Sequence, residues 1–219
     1  MVPSRTNAPG TPGPFVRTGN CCGRITSDVP DSALRSPTDD LIDGLRAWTP
    51  VAPGQALLRD EYLDFVTAAP GTALRRDGGP EHVTGSCFVF TPDLAQVLLC
   101  FHRKGRFWVQ LGGHVESADA SVAAAAYREA REECGITDLE PLGPGILDVD
   151  RHGLGGGFSC SAHWDVGFAA VARPEAAPVA SDESDDVAWW PVDALPENVP
   201  PHFDRRLAGV LAELAHRLG

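Results

Sequence analysis

The chain has 219 residues, enough for one globular domain with a sizeable core and an extension. Its 30 acidic and 18 basic residues give a formal net charge of −12, which disfavours a broad surface for a nucleic-acid polymer or an anionic membrane. We therefore expect neither of these partners. A small phosphate ligand stays compatible with the charge, because metal ions bridge carboxylates and phosphates.

The six cysteines contain no C-x-x-C pair, and this spacing predicts no zinc site. Cys87, Cys100 and Cys134 lie in apolar contexts, where a thiol behaves as a small hydrophobe. The sequence has no run of 18 apolar residues and no apolar segment of a signal peptide at its N-terminus. These features together predict reduced thiols and a cytoplasmic location.

Residues 1–38 are rich in Pro, Gly, Ser and Thr, and they predict a disordered tail. A helix is predicted to follow, with Thr38 or Asp39 as its N-cap and Pro50 beyond its end. The apolar positions of this helix are Leu41, Ile42, Leu45 and Trp48.

A second helix is predicted over residues 55–69. Its apolar face is Leu57, Leu58, Tyr62, Phe65 and Val66. Residues 39–80 are thus predicted to be a helical extension that braces a domain over residues 81–219. A dimer contact or a wall of a substrate cleft is the alternative role.

Residues 82–90 (HVTGSCFVF) and 96–102 (QVLLCFH) predict a β-hairpin. A basic loop with Arg103, Lys104 and Arg106 follows, and then a short strand over residues 107–111. The three cations are candidate substrate contacts, because a basic cluster in an acidic chain can hold phosphate. A solubilising hairpin end is the alternative.

The stretch from Gly112 to Ile136 combines two glycines, a polar loop and an alanine-rich helix that is predicted to stop at Gly135. Glu129, Glu132 and Glu133 share one face of this helix. Like charges at this spacing repel by about 0.2–0.5 kcal/mol per pair, and carboxylates in a last turn oppose the helix dipole. A solvated acidic face is one interpretation. The upstream glycines favour a divalent-metal site, because a glycine backbone can approach a ligand closely.

After this helix, residues 146–152 and 159–172 predict two strands, joined by a glycine-rich loop that is a weak phosphate signal. His163 and Asp165 share one face of the second strand, since side chains alternate along a strand. We predict that both contact the substrate, and the alternative is a structural role with satisfied hydrogen bonds.

An acidic loop over residues 181–186 precedes a last strand over residues 187–191. A final helix is predicted to cover the sheet. Its apolar positions are Leu207, Val210, Leu211, Leu214 and Leu218.

The central stretch resembles the Nudix box. The pattern of that family is Gly, five residues, Glu, seven residues, and then Arg-Glu-apolar-any-Glu-Glu-any-Gly-apolar. Gly113 matches the first glycine, and residues 128–136 (REAREECGI) match the last part in full. Asp119 replaces the first Glu, and eight residues rather than seven separate it from Arg128. The order of strands from residue 82 onward is similar to a bacterial Nudix subgroup of undefined substrate.

The resemblance implies an α/β fold: a Nudix-type α/β/α sandwich with a mixed curved sheet, here with an N-terminal helical extension. It implies a pyrophosphohydrolase that uses Mg²⁺ or Mn²⁺ and a water molecule that attacks phosphorus. The substrate would be a small molecule, a nucleoside diphosphate linked to another group, such as ADP-ribose or a nucleotide sugar. The alternatives are a nucleotide-binding module without catalysis and an isoprenoid diphosphate isomerase or phosphohydrolase. A homodimer is compatible with all of them.

Carried over by position, the resemblance assigns Glu132 and Glu133 as the main metal ligands, with the Gly113 carbonyl as another. Glu129 would bind the metal through water or act as the base that activates water. Arg128 would hold the glutamates by salt bridges.

The resemblance also gives a role to residues outside the helix. Asp119 would support the loop as the N-cap of the helix, which suits its chemistry. A distant carboxylate completes the site in several Nudix enzymes. Glu183 in the acidic loop is the candidate, with Asp182 second.

Overall fold

The computed structural model describes residues 35–155, 160–173, 175–182 and 184–219. Within these ranges, four helices flank one eight-stranded sheet. The helices are α1 (Pro37–Ala47), α2 (Pro53–Ala68), α3 (Val122–Cys134) and α4 (Phe203–Leu218). The strands are β1 (Glu81–Phe90), β2 (Gln96–His102), β3 (Phe107–Val109), β4 (Leu111–His114), β5 (Glu140–Leu142), β6 (Asp148–Gly153), β7 (Ala162–Val171) and β8 (Ser184–Pro191). Residues 1–34 of the predicted tail lie outside the described residues.

The first helix, α1, begins earlier than the sequence pattern predicts. Ser36 is its N-cap, since the Ser36 hydroxyl accepts the N–H of Asp39 at 3.1 Å. The prediction of Thr38 or Asp39 as the cap is wrong, because Pro37 already occupies the first turn, where its missing N–H costs nothing.

The second helix, α2, packs on the sheet through a stripe of Tyr62, Phe65 and Val66. The Phe65 ring stacks on the Trp164 ring of β7 with centroids 4.4 Å apart. The predicted place of Leu57 on this face is wrong, since its side chain is 71% exposed. It lies outside the stripe because each residue turns the helix by about 100°.

Polar contacts also join the N-terminal helices to the rest of the protein. The side chain of Gln55 bonds both the N–H and the carbonyl of Val149 in β6. The indole of Trp48 donates to Glu213 of α4 at 2.9 Å. These contacts are those of a brace, and the division into residues 39–80 and 81–219 stays a prediction.

The sheet is built around β1. This strand pairs in parallel with β7 along its whole length, from Glu81 opposite Ala162 to Phe90 opposite Val171. Its antiparallel partners are β4, over residues 84–87, and β2, at residues 89–90. The remaining strands extend the sheet on both sides, in the order β3-β2-β1-β7-β5, with β6 beside β7 and β8 beside β2. The predicted mixed sheet and the β1–β2 hairpin are confirmed.

Several strand boundaries differ from the prediction. The strand expected over residues 107–111 is two strands, because the chain leaves β2 and joins β1 at Gln110. The short strand β5 was not predicted. Strand β8 begins at Ser184, so part of the predicted acidic loop is paired with β2.

The two faces of the sheet are covered by different helices, which confirms the α/β/α sandwich. On one face, α3 buries Val122, Ala126 and Ala130. On the other face, α4 packs against Phe88 and Phe90 of β1. The buried positions of α4 are Phe203, Leu207, Val210, Glu213 and Leu214, whereas Leu218, the last helical residue, is 54% exposed, contrary to the prediction.

No helix within the described ranges is long and apolar enough to cross a membrane. The cytoplasmic location stays a prediction.

Gly85 of β1 sets the distance between the sheet and α3. A Cβ atom at this position would lie 2.8 Å from the carbonyl oxygen of Val122 and 3.2 Å from the Cβ of Ala126. The glycine therefore lets the first turn of α3 lie directly on the strand. Because α3 carries the three glutamates, this close approach also places their carboxylates.

We expect Gly85→Ala to lower the free energy of unfolding by about 1–3 kcal/mol, because the helix backbone must move away from β1. Gly209→Ala is the matched control, since a Cβ atom there meets nothing within 4 Å. That change should raise stability by about 0.5–1 kcal/mol through helix propensity. Urea denaturation of both variants measures the difference, and equal effects would show that α3 does not depend on Gly85.

Candidate active site

Helix α3 has well-defined ends. The Ser121 hydroxyl caps the N-terminus by accepting the N–H of Ala124 at 3.0 Å. Gly135 ends the helix in the left-handed conformation with φ of 69°, as predicted. The hypothesis that Asp119 is the N-cap is wrong, because Ser121 lies next to the first turn and satisfies its N–H group.

Asp119 instead holds the loop that leads into α3. Its carboxylate accepts the N–H of Glu116 at 2.8 Å and two hydrogen bonds from the Arg128 guanidinium, at 2.9 and 3.0 Å. The Asp119 carboxylate therefore supports the loop, as expected, although it does not cap the helix. The additional residue between Asp119 and Arg128 does not prevent this pairing.

Two of the three helix glutamates lie against the Gly112–Gly113 segment. The carboxylate of Glu133 accepts the N–H of Gly112 at 2.8 Å. A Cβ atom at Gly113 would lie 2.6 Å from the carboxyl carbon of Glu129, so a larger residue here would displace this carboxylate from its present position. Gly112 itself has φ of 152°, a conformation that favours glycine.

Glu132 differs from the other two glutamates in its exposure. Its side chain is 59% exposed, whereas that of Glu129 is 16% exposed. Arg128 lies between them, and its Nη1 atom is 2.9 Å from Glu129 and 3.1 Å from Glu132. The structure therefore brings the three glutamates, Arg128 and the two glycines together.

The guanidinium of Arg128 neutralises part of this negative charge. The hydrogen bonds to Asp119 and Glu129 raise the pKa of Arg128 further above its ordinary value, so the side chain is always charged. Burial alone would raise the pKa of Asp119. The bonds from Arg128 and the Glu116 N–H outweigh burial and hold that pKa below its ordinary value.

The chemistry of the donors fits a hard divalent cation. The three carboxylates of α3 and the backbone carbonyl of Gly113 offer only oxygen, the ligand type that Mg²⁺ takes in proteins. The exposed side chain of Glu132 leaves the group open toward solvent, where a phosphate substrate could reach it. The assignment of these residues as ligands stays a prediction.

The basic loop is joined to the start of β8. Arg103 and Arg106 each form an ion pair with Asp185, at 2.8 and 2.6 Å, and Lys104 is exposed between them. The roles of these three cations in substrate binding stay predictions. Glu183 lies outside the described residues, and Asp182 is exposed.

Asp165 is part of a buried ion pair. Its carboxylate accepts from Thr84 at 2.8 Å, from Ser86 at 2.6 Å and from Arg206 of α4 at 2.6 Å. Burial would raise the pKa of Asp165, but Arg206, the Ser86 hydroxyl and His152 together outweigh burial and keep that pKa below its ordinary value. The sequence pattern missed Arg206, which lies outside any motif. A substrate contact by Asp165 stays a prediction.

His163 lies among other histidines. Its ring centroid is 5.1 Å from that of His82, 5.2 Å from that of His114 and 5.6 Å from that of His152. Burial lowers the pKa of His114 and of His163 to about 4, so both rings are neutral at pH 7. The sequence pattern did not join His163 to His82 and His114, because the three lie on different strands. A substrate contact by His163 stays a prediction.

The comparisons with known proteins concern the domain that carries this site. The sequence profile of the NUDIX domain matches residues 80–213. No curated protein sequence matches the chain.

Solved structures similar to this chain include the MutT protein of Methanosarcina mazei Go1, at 20% identity and a TM-score of 0.50. That match covers 61% of this chain and 95% of the other. An Ap4A hydrolase of C. elegans in a binary complex is 17% identical, with a TM-score of 0.50, over 61% of this chain and 98% of the other. The dihydroneopterin triphosphate pyrophosphohydrolase of E. coli is 17% identical, with a TM-score of 0.50, over 63% and 97%. At these identities the structures show the fold alone.

The domain profile covers more than half of the chain, and it includes the glycine segment, the loop and the helix of the site. The chain therefore belongs to the Nudix family, and it is a Nudix pyrophosphohydrolase.

Proposed function

We propose that this protein hydrolyses a phosphoanhydride bond in a nucleoside diphosphate linked to another group, with Mg²⁺ or Mn²⁺ as the cofactor. The observation that carries the proposal is the packing of Glu129 and Glu133 against Gly112–Gly113, with Glu132 exposed beside them. Family membership supports pyrophosphohydrolase activity in general. The substrate class and the identity of the metal are the proposed part.

Different residues of the site would bind the divalent ion and orient its ligands. Glu132 and Glu133, with the Gly113 carbonyl, would be its ligands. When bound, a divalent ion neutralises charge on the phosphate oxygens and lowers the pKa of a water molecule. Gly112 orients Glu133, because its N–H donates a hydrogen bond to the Glu133 carboxylate at 2.8 Å.

Glu129 has two possible tasks in this proposal, and both need its position. It holds the ion through water, or it takes the proton of the attacking water. A carboxylate suits the second task when it lies within hydrogen-bond reach of that water. Arg128 donates a hydrogen bond to the Glu129 carboxylate, which also packs against Gly113. These two contacts hold the carboxylate in one orientation, which both tasks require.

Neither the fold nor the metal ligands select the substrate. Two structural neighbours bear the names of enzymes for different substrates, an Ap4A hydrolase and a dihydroneopterin triphosphate pyrophosphohydrolase. In this chain, Arg103 and Arg106 are already paired with Asp185, which places the two guanidinium groups side by side. A phosphate group that displaces Asp185 would meet both, and this is our proposal for the basic loop.

A hydrolysis screen in which the phosphomonoester products are separated by ion-exchange chromatography tests the reaction. The compounds are ADP-ribose, a nucleotide sugar, a dinucleoside polyphosphate, a nucleoside triphosphate and a prenyl diphosphate, each with Mg²⁺ or Mn²⁺. We expect turnover of ADP-ribose or of the nucleotide sugar. Excess EDTA should abolish turnover, and Mg²⁺ added beyond the chelator should restore it. Full turnover without a divalent ion would contradict the proposal, and binding without turnover would indicate a nucleotide-binding module.

The variant Glu132→Gln keeps the shape of the side chain but removes a charged ligand. We expect turnover to fall by about 100-fold or more. Stability should change by less than about 0.5 kcal/mol, because the ion pair with Arg128 is largely exposed. Glu61→Gln is the control, since Glu61 is an exposed glutamate of α2. Equal activity in both variants would remove Glu132 from the ligand set.

Arg128→Ala should affect both activity and stability. The variant loses the guanidinium that bonds Asp119, Glu129 and Glu132, so we expect the free energy of unfolding to fall by about 1–3 kcal/mol. Turnover should fall as well, because the glutamates repel one another without the cation. The control is Arg75→Ala, which removes an exposed ion pair with Asp77. A melting temperature equal to that of the control would show that Arg128 does not organise the site.

A further inference from the structure

Four potential metal ligands lie together outside the glutamate site. They are His82 of β1, His114 of β4, His163 of β7 and Cys160, which precedes β7. One ligand atom from each of the four lies within 4.8 Å of all the others. The three rings form a nearly equilateral triangle, with centroids 5.0, 5.1 and 5.2 Å apart.

The sheet itself creates this group. His82 lies opposite His163 in the parallel pairing of β1 with β7. His114 lies opposite Thr84, two residues along β1 from His82 and on the same face. Three strands of one sheet therefore present their imidazoles to the same point, on the side of the sheet that α4 covers further along β1.

Several buried ring nitrogens of this group have no hydrogen-bond partner within the described part of the chain. Among the described residues, none accepts from or donates to the Nε2 atom of His114 or that of His163, and neither atom is exposed to solvent. A buried polar atom without a hydrogen bond costs about 1–3 kcal/mol, so such atoms are uncommon in folded proteins. A bound cation would satisfy both nitrogens, since each offers a lone pair in one tautomer.

The spacing is close to that of a tetrahedral zinc site. From zinc–sulfur and zinc–nitrogen bonds of about 2.3 and 2.0 Å, two ligand atoms on one ion lie about 3.3–3.5 Å apart. The Nε2 atom of His82 lies 3.7 Å from the Sγ atom of Cys160. The remaining separations, up to 4.8 Å, close by small rotations of the imidazole rings.

We propose that His82, His114, Cys160 and His163 bind one zinc ion as a closed, structural site. Three imidazoles and one thiolate are borderline-to-soft ligands, which favour zinc over Mg²⁺. With four protein ligands the ion has no open position, as in structural zinc sites. The proposal differs from the expectation that the cysteine spacing gave, which was no zinc site. Cysteine spacing cannot reveal this group, because its ligands come from three strands rather than from one short motif.

The position of His114 gives the zinc ion a role. Side chains alternate along a strand, so His114 and Gly113 face opposite sides of β4. Gly113 faces Glu129 of α3, and the carbonyl of His114 accepts from Arg128 at 3.1 Å. The ion would fasten β4 to β1 and β7 directly beside the glutamate site, and it would not itself touch the substrate.

The test measures metal binding by the whole chain, purified without a histidine tag. We expect about one zinc ion per chain by elemental analysis and a lower melting temperature after its removal. Cobalt substitution should give tetrahedral visible bands and a thiolate charge-transfer band in the near ultraviolet. A cobalt ion held by the helix glutamates would give neither, because its ligands would all be oxygen. Zinc binding is thus measured independently of hydrolysis.

Matched cysteine variants identify the ligand. Cys160→Ala should lose the thiolate band and bind zinc more than about 100-fold more weakly. Cys134→Ala removes another buried thiol, at the end of α3, and should keep both properties. Glu132→Gln should also keep the zinc ion.

A folded wild-type chain that takes up no zinc or cobalt would overturn the proposal, as would a thiolate band that survives in Cys160→Ala. If Cys160→Ala does not fold, the zinc content and cobalt spectrum of the wild-type chain decide the question alone.

Discussion

The ion pairs of Arg128 are the interaction on which the arrangement of the site depends. One guanidinium bonds Asp119 in the loop and two glutamates of the helix, and it also reaches the carbonyl of His114 in β4. Only arginine has a planar fork with enough donors for these partners. Its charge makes it possible for several carboxylates to face one another, which otherwise destabilises a helix. The same side chain therefore joins loop, strand and helix into one site.

A second constraint is the close packing of backbone around the site, which glycine makes possible. Gly85 allows α3 to lie directly on β1, and Gly113 allows the Glu129 carboxylate to lie on β4. A larger residue at Gly85 would push the helix away from the sheet, and one at Gly113 would displace the Glu129 carboxylate. The carboxylates would then lose their contacts with Gly112 and Gly113. The geometry of the glutamates is thus set by the sheet beneath them as much as by the helix that carries them.

Strand β4 connects two groups of potential metal ligands with different chemistry. Toward α3 it contributes Gly113 to a set of oxygen donors, and on its other side it contributes His114 to a set of nitrogen and sulfur donors. Hard and soft ligands prefer different cations, so the two groups need not compete for one metal. One short strand can then serve both the chemistry proposed for the glutamates and the stability proposed for the histidines.

The sequence by itself determined the features whose signals are local. Helix α3, its end at Gly135, the hairpin of β1 and β2 and the continuous burial of β1 follow from short-range apolar patterns and glycine positions. The match to the Nudix box, a contiguous stretch, then identified the sandwich fold. The caps Ser36 and Ser121 were missed because each competes with neighbouring polar residues, and only the backbone conformation selects one of them.

Only the tertiary structure decided which distant residues meet. The pair of Asp165 with Arg206 requires α4 to lie over β7, and nothing near Arg206 in the sequence indicates this. The grouping of His82, His114 and His163 depends on the register of three strands, and a shift of one residue would send a histidine to the other face. Register is set by the packing of the whole sheet. Spacing along the chain therefore revealed the glutamate site, whereas the histidine group became visible only in the folded protein.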